Sequence, residues 1–322
     1  MSRTFHFYKI NVPNDADATL SRLGDNGTVQ GTYSLGGRRG DQFFSDFRGT
    51  ITPLSGTLPQ QSDSTTGTIL QRNTTGEITG VYFDINGTGL FYGTDGNLTK
   101  IPDPSPATSR LFPSAISDSG FIVTNGTAED VISPNGDITP VTAPEGITSF
   151  GLSGISDKGE VVGNYRDSGD INHPFYERLG GSAKPFDVPI TPDPNASGFL
   201  PLQAFAEAVN AAGAIVGEFT DGVHEHGFLY SPKTGEIDQI DVPNAADTFL
   251  KAINNRGEIG GWYDEFDNGT VRTHAFVADP RHIPGINSLG TALGDNMITV
   301  LVAPHSHGEV RDSERIFAAG HD

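Results

Sequence analysis

One phrase recurs six times along this chain: an apolar stretch, a tight turn rich in Asn, Ser and Asp, a glycine, and a short apolar run. A second glycine often comes next, and then usually Tyr or Phe. The copies are LSRLGDNGTVQGTY (20–33), ILQRNTTGEITGVY (69–82), PSAISDSGFIVTNG (113–126), LSGISDKGEVVGNY (152–165), AEAVNAAGAIVGEF (206–219) and LKAINNRGEIGGWY (250–263). Their anchor glycines, Gly27, Gly76, Gly120, Gly159, Gly213 and Gly257, stand 49, 44, 39, 54 and 44 residues apart. A period near that length, filled with strand-like segments, is the signature of a β-propeller with one blade per repeat.

The fifth repeat shows how one unit becomes a blade. AFAEAVN (204–210), AIVGEF (214–219), HGFLYS (226–231) and EIDQIDVP (236–243) read as four antiparallel strands, A to D. The A–B connection is the recurrent turn itself, an Asx or Ser residue opening it and a glycine closing it in the left-handed region, a common short hairpin. The end of strand D together with its next residues, IDVPNAADT (240–248), is echoed at the N-terminus by INVPNDADAT (10–19). Residues 5–12 therefore read as a strand D without a blade, while the sixth repeat has A, B and C (HAFVADP, 274–280) but no D. The expectation is an all-β, six-bladed β-propeller, four antiparallel strands per blade, its ring closed by the N-terminal strand so that no edge stays exposed. The propeller spans 1–283. Residues 284–322 form a C-terminal extension outside the repeat, in which GDNMITVLVAP (294–304) has the composition of one more strand.

Two stretches, AINNRGEIGGWY…HAFV (252–277) and AVNAAGAIVGEF…HGFLY…IDVPNA (208–245), resemble the HAF-type extracellular repeat of bacterial proteins. The resemblance covers blades five and six well, blade four fairly and blades one to three loosely. It implies an extracellular or periplasmic location rather than an activity. The start, MSRTFHFYKINVP, shows no charged segment leading into an apolar run, so no secretory signal is visible and a cytoplasmic place stays open.

Composition narrows the partners. A formal net charge of −20 disfavours nucleic acid and anionic membrane, which both require basic patches, and suits a soluble monomer. Apolar runs are strand-length, so no membrane insertion is expected. The absence of cysteine removes disulfides and thiolate chemistry. What remains is a small molecule, glycan or peptide.

Strand direction places the short, near-uniform A–B turns at one end of the blades and the variable B–C and D–A loops at the other. Binding and catalytic groups favour variable loops on a rigid scaffold. At that end Asp167…His173, Asp221…His226 and Asp264…His274 recur, and Asp84 keeps the first half of the pair. Each Asp can pin its own blade's hairpin by accepting from its His. Alternatively, His226, His274, Asp221 and Asp264 can transfer protons as catalytic groups near the channel mouth of blades five and six.

Two HxH pairs, His224/His226 and His305/His307, have the i, i+2 spacing that puts two imidazoles on one side of a strand. His224, His226 and His274 form the candidate ligand set for a divalent metal, Zn or Ca. DEFDNG (264–269) lacks the D-x-D-x-D-G spacing of a calcium loop. Glu207 and Lys251 share one position on adjacent inner strands, beside Arg22 and Gln71 one residue further on, and can face a ligand in the channel or bridge two blades.

Arg39-Gly-Asp41, an integrin-type tripeptide, sits in a Gly-rich loop and reads as coincidence. No nucleophile elbow, P-loop or dinucleotide fingerprint occurs. The one tryptophan, Trp262, lies in a strand, which argues against a lectin with an indole platform in every blade. The leading reading is a propeller that binds a glycan, peptide or protein through its B–C/D–A face. The alternative is a propeller-type hydrolase or lyase with a His/Asp site, metal-dependent or not, near blades five and six.

Overall fold

The computed structural model describes residues 3–12, 16–34, 41–45, 51–53, 66–84, 87–94, 97–102, 112–126, 129–147, 149–196, 201–267, 269–280 and 297–302. The pair His305/His307, the first two residues of Arg39-Gly-Asp41 and most of 284–322 lie outside them.

The described strands sort into six open sheets, every pairing antiparallel, and in five of them strand order follows the chain. Sheet 1 holds β2 (Asp17–Leu23), β3 (Val29–Ser34), β4 (Asp41–Ser45) and β5 (Ile51–Pro53). Sheet 2 holds β6 (Thr66–Arg72), β7 (Ile78–Asp84), β8 (Gly87–Thr94) and β9 (Asn97–Pro102). Sheet 3 holds β10 (Phe112–Ile116), β11 (Ile122–Asn125), β12 (Asp130–Ile132) and β13 (Ile138–Pro140). Sheet 4 holds β14 (Phe150–Ile155), β15 (Glu160–Arg166), β16 (Asn172–Arg178) and β17 (Lys184–Pro185). Sheet 5 holds β18 (Gln203–Val209), β19 (Ile215–Thr220), β20 (Glu225–Ser231) and β21 (Glu236–Ile240).

Sheet 6 takes β22 (Asp247–Ile253), β23 (Ile259–Asp267) and β24 (Thr270–Asp279), and is completed from the far end of the chain. There β1 (Arg3–Lys9) pairs with β24 from His6↔Asp279 to Lys9↔Phe276. On its other side β25 (Met297–Val302) pairs with β1 from Arg3↔Val302 to Tyr8↔Met297. The N-terminal echo thus stands in the D position of the last repeat, with one further strand outside it.

The core lies between the sheets. Val216, Leu229 and Ile240 of sheet 5 meet Leu250, Ile259 and Phe276 of sheet 6. Leu20 and Val29 of sheet 1 meet Ala252, Ala275 and Val277 of sheet 6, so the first and last sheets are neighbours. Each such aliphatic or aromatic side chain contributes about 1.5–3 kcal/mol on burial, which is why single sheets of this size stack.

Both glycines of the repeated phrase have a physical cause. The turn glycines adopt positive φ, from 75° at Gly159 to 95° at Gly76, a region closed to most side chains. The strand-B glycines instead stand where a Cβ would strike the strand-A carbonyl: 1.9 Å from Phe205 O at Gly217 and 2.2 Å from Gly151 O at Gly163. The rings of Phe228 and Phe175, fully buried from strand C, fill the space those glycines leave.

Every strand A carries a bulge at one repeated position, occupied by Ser21, Leu70, Ser114, Ser153, Glu207 and Lys251. A bulge leaves one residue unpaired and re-aims its side chain. Burial alternates along β18 and β22, with Ala204, Ala206, Leu250 and Ala252 turned to the core and Glu207 and Lys251 turned away from it.

Candidate functional site

The two ends of the sheets differ in chemistry. At the turn end, the A–B turns of sheets 2 to 6 are bonded to the next sheet. Asn73 Nδ2 donates to Ser117 O (2.9 Å), Asn210 Nδ2 to Asn254 O (3.0 Å) and Asn254 Nδ2 to Gly24 O (3.1 Å). The adjacent turn residue repeats the pattern through its backbone: Thr74 N–H donates to Asp118, Ala211 N–H to Asn255 and Asn255 N–H to Asp25. The carboxamide of Asn255 also reaches Asp157 of sheet 4 (2.8 Å).

Above this lacing lies a cavity of about 330 Å³, lined by strand A and A–B turn residues from all six sheets. It sits at the turn end, opposite to the loop-end channel mouth expected from loop variability. Its wall is uneven. Ser21, Ser114 and Ser153 give it short hydroxyls, whereas Glu207 and Lys251 fill the same bulge position in sheets 5 and 6.

Lys251 Nζ lies 2.8 Å from Glu207 Oε1 and 2.8 Å from Glu218 Oε2, and 5.1 Å from the centre of the Trp262 ring. Burial pushes Glu218 up to about 7 against the pull of Lys251, while the two carboxylates, outweighing burial, raise Lys251. On the other side Arg22 donates through Nε and Nη2 to Gln71 Oε1 (3.2 and 2.9 Å) and through Nη1 to Ile116 O. Burial lowers Arg22 to about 10, so it stays charged at neutral pH.

Glu218 marks a column that the sequence reading missed: the residue after the strand-B glycine in each repeat. In sheets 3 and 4 that column holds Asn125 and Asn164, whose carboxamides clamp the next sheet's backbone. Asn125 bonds Leu152 N and O (2.7 and 2.8 Å), and Asn164 bonds Ala206 N and O (2.7 and 3.0 Å). In sheet 5 the column holds Glu218 and in sheet 6 Trp262. The signal was legible as an Asn, Asn, Glu, Trp alignment, yet only a structure shows that it faces the neighbouring strand edge.

At the loop end the candidate Asp and His residues fall into three arrangements. His173 Nε2 contacts Asp167 Oδ2 (3.2 Å), and hydrogen bonds from the Ile171 backbone and then His173 hold Asp167 below its ordinary range. His226 is held from both sides, Nε2 to Asp221 (3.3 Å) and Nδ1 to Asp241 (3.1 Å). Partial burial pushes this imidazole down, but Asp241 and then Asp221 outweigh it and raise it to about 9. The two carboxylates therefore favour the protonated form of His226 at neutral pH.

The third pair does not form. Asp264 stands in register with Thr273 and accepts its hydroxyl (2.6 Å), while His274, 6 % exposed at its side chain, points to Glu265 (3.5 Å). His224 is exposed and pairs with Asp247 (3.5 Å). Among the described residues no group of three or more His, Cys, Asp or Glu is arranged to hold a metal ion. What the three histidines share is an aromatic partner across the strand: Tyr165–His173, Phe219–His226 and Tyr263–His274, with ring centres 5.3, 5.1 and 5.2 Å apart.

The same end gathers apolar exposure. Of the seven exposed large hydrophobic side chains among the described residues, only Ile138 belongs to the turn end. Phe83 ends β7, Phe112 begins β10, Leu202 precedes β18, Val223 lies between β19 and β20, and Phe266 and Val271 tip the β23–β24 hairpin.

No protein-family profile and no curated protein sequence matches the chain, so the HAF-type resemblance rests on the residues of blades five and six alone. Solved structures similar to it include virginiamycin B lyase from Staphylococcus aureus, at 16% identity over 85% of this chain and 99% of that one (TM-score 0.41). The lectin of Aleuria aurantia in complex with α-methyl-L-fucoside is similar at 12% identity over 86% and 99% (TM-score 0.40). The WD40 domain of Toxoplasma gondii coronin is similar at 8% identity over 88% and 87% (TM-score 0.43).

Proposed function

We propose that the chain forms a closed six-bladed propeller of HAF type, the N-terminal strand closing the ring, and that it is a binding module working through its B–C/D–A face outside the cell or in the periplasm. The observation that carries this reading is the sorting of side chains between the two ends. The turn end bonds its polar groups into the seams between sheets. The loop end leaves Leu202, Val223, Phe266 and Val271 uncovered on sheets 5 and 6. Monomeric proteins rarely gather exposed apolar side chains without a partner for them.

The test is a panel of immobilised glycans and peptides probed with the wild type and two variants, Val223→Asp at the loop end and Ile138→Asp at the turn end. Binding lost in the first and kept in the second is the expected result. The reverse pattern would refute the assignment of the face.

The hydrolase or lyase reading draws on one observation, the Glu218 carboxyl raised to about 7 beside Lys251, whose own side chain lines the cavity. It requires Glu218→Gln to abolish a turnover that the wild type shows on some panel ligand.

A further inference from the structure

The loop-end face of sheets 5 and 6 combines two properties that together select one kind of ligand. The first is its apolar relief. Phe266 and Val271 oppose each other across the β23–β24 hairpin, and opposed residues share a face, so they form one projecting knob. Phe266 is 67% exposed. Leu202 adjoins Gln203, which pairs with Thr220, and Val223 comes soon after Thr220, so both occupy the same end of sheet 5. The two sheets are tied there by the Glu225 N–H donating to Asp247 (2.9 Å) and by His224 against Asp247.

The second property is the sign of the surrounding charge. Asp221, Glu225, Asp247, Asp264 and Glu265 stand among these apolar groups. Their side-chain partners are histidines and a threonine rather than lysine or arginine. Arg272, the cation on the same hairpin, pairs with Asp17 (3.1 Å). Burial first and Asp247 next raise Glu225, against the lowering pull of His226 and Lys251, so acidic groups prevail around it.

We propose that this face docks a polypeptide segment in which basic residues alternate with one or two large apolar side chains. The proposal rests on the loop-end binding reading and names its ligand. Apolar knobs require an apolar counterpart, and a face on which carboxylates outnumber cations favours a basic one. Among the exposed large apolar groups described on sheets 5 and 6, Phe266 stands beside the aliphatic Leu202, Val223 and Val271, a relief that suits apolar side chains better than a sugar ring. A second copy of the chain, at a formal net charge of −20, would bring like charge to like.

The experiment is selection of a displayed random-peptide library on the full-length protein, counter-selected on a Phe266→Ser/Val271→Ser variant whose unfolding midpoint matches the wild type. The expected peptides are basic and contain Leu, Ile, Phe or Trp. One of them, synthesised, should bind about ten-fold more weakly when salt rises from about 0.05 M to about 0.5 M. It should also bind more weakly to an Asp264→Asn/Glu265→Gln variant. Recovered peptides that are neutral or acidic, yet still lost on the hairpin variant, would overturn the ligand class and leave the loop-end reading standing. Peptides that bind the hairpin variant as well as the wild type would overturn both. An empty selection overturns the polypeptide proposal, and a glycan panel on the same two proteins then decides whether the face itself survives.

Discussion

The turn end and the loop end are built from the same six repeats, yet they use polar residues in opposite ways. At the turn end, Asn73, Asn210 and Asn254 each serve their own turn with the side-chain oxygen and the next sheet with the nitrogen. At the loop end, Asp167 and Asp221 bond within their own hairpins, and the bonds that do cross, among them Glu225 N–H to Asp247 and Arg272 to Asp17, leave Phe266 and Val223 exposed. Polarity between sheets makes one end a structural seam. Polarity within sheets leaves the other end available. Substitutions should therefore separate stability from binding according to which end, or which seam, they touch.

The largest expected effect lies in the seam between sheets 5 and 6. Lys251→Met leaves Glu207 and Glu218 without their shared ammonium in a mostly buried place. Breaking such a pair costs about 3–5 kcal/mol, read by denaturant unfolding at pH 8. The loss should shrink toward pH 5. Glu218 has a folded value raised to about 7, so the native state binds its proton more tightly than the unfolded chain, and this group's contribution to stability falls as pH rises from 4.5 to about 7. Glu218→Gln should flatten that slope. A Lys251→Met loss no larger than that of an exposed substitution would mean that the ion pair adds nothing to the seam.

Next comes the neutral version of the same seam. Asn164→Ala strands the N–H of Ala206, a fully buried residue, and about 2 kcal/mol should be lost. Asn164→Asp keeps the acceptor and, once protonated, offers an O–H to the Ala206 carbonyl. At acid pH it should therefore fall between wild type and alanine, and at neutral pH, as a carboxylate, come closer to alanine. Equal losses for Ala and Asp at acid pH would argue that the clamp works through packing and not through its two hydrogen bonds.

Much of this contrast was legible in the sequence, and the reasons for the misses are physical. The uniform turns identified the structural end because a left-handed glycine and an Asx opening leave few alternatives. INVPNDADAT predicted the β1–β24 pairing because it repeats the residues that end β21 and lead onward. The three Asp…His pairs misled in sheet 6 because Asp167 and Asp221 stand two residues beyond the aromatic opposite their His, whereas Asp264 stands one beyond Tyr263, and Glu265 takes the equivalent place facing His274. Loop variability pointed to a site at the loop end, and the cavity at the turn end was not foreseen because it depends on which side chains stand at the strand-A bulges. Short residues at Ser21, Ser114 and Ser153 open the turn end.

Within the loop end, His226 offers a smaller effect with a pH signature. Its folded value of about 9 exceeds the ordinary 6.5, so its contribution is complete below pH 6.5 and disappears as pH rises through 9. His226→Gln should cost about 2 kcal/mol at pH 6 and almost nothing at pH 10. A loss independent of pH would show that the imidazole matters as a ring against Phe219 and not as a cation between Asp221 and Asp241.

The smallest effect on stability should accompany the largest on binding. Phe266 and Val271 are both exposed, so replacing both with serine removes little burial, and unfolding should shift by no more than about 0.5 kcal/mol. The hairpin register beneath them is fixed by Tyr263↔His274 and Asp264↔Thr273, further from the tip, so the shape of the loop should persist. If the pair nonetheless unfolds the protein, the knob belongs to the fold, and the division between a structural end and an available end fails at sheet 6. If stability holds and ligand binding disappears, the two ends are separable functions of one repeat, one holding the sheets together and the other meeting the partner.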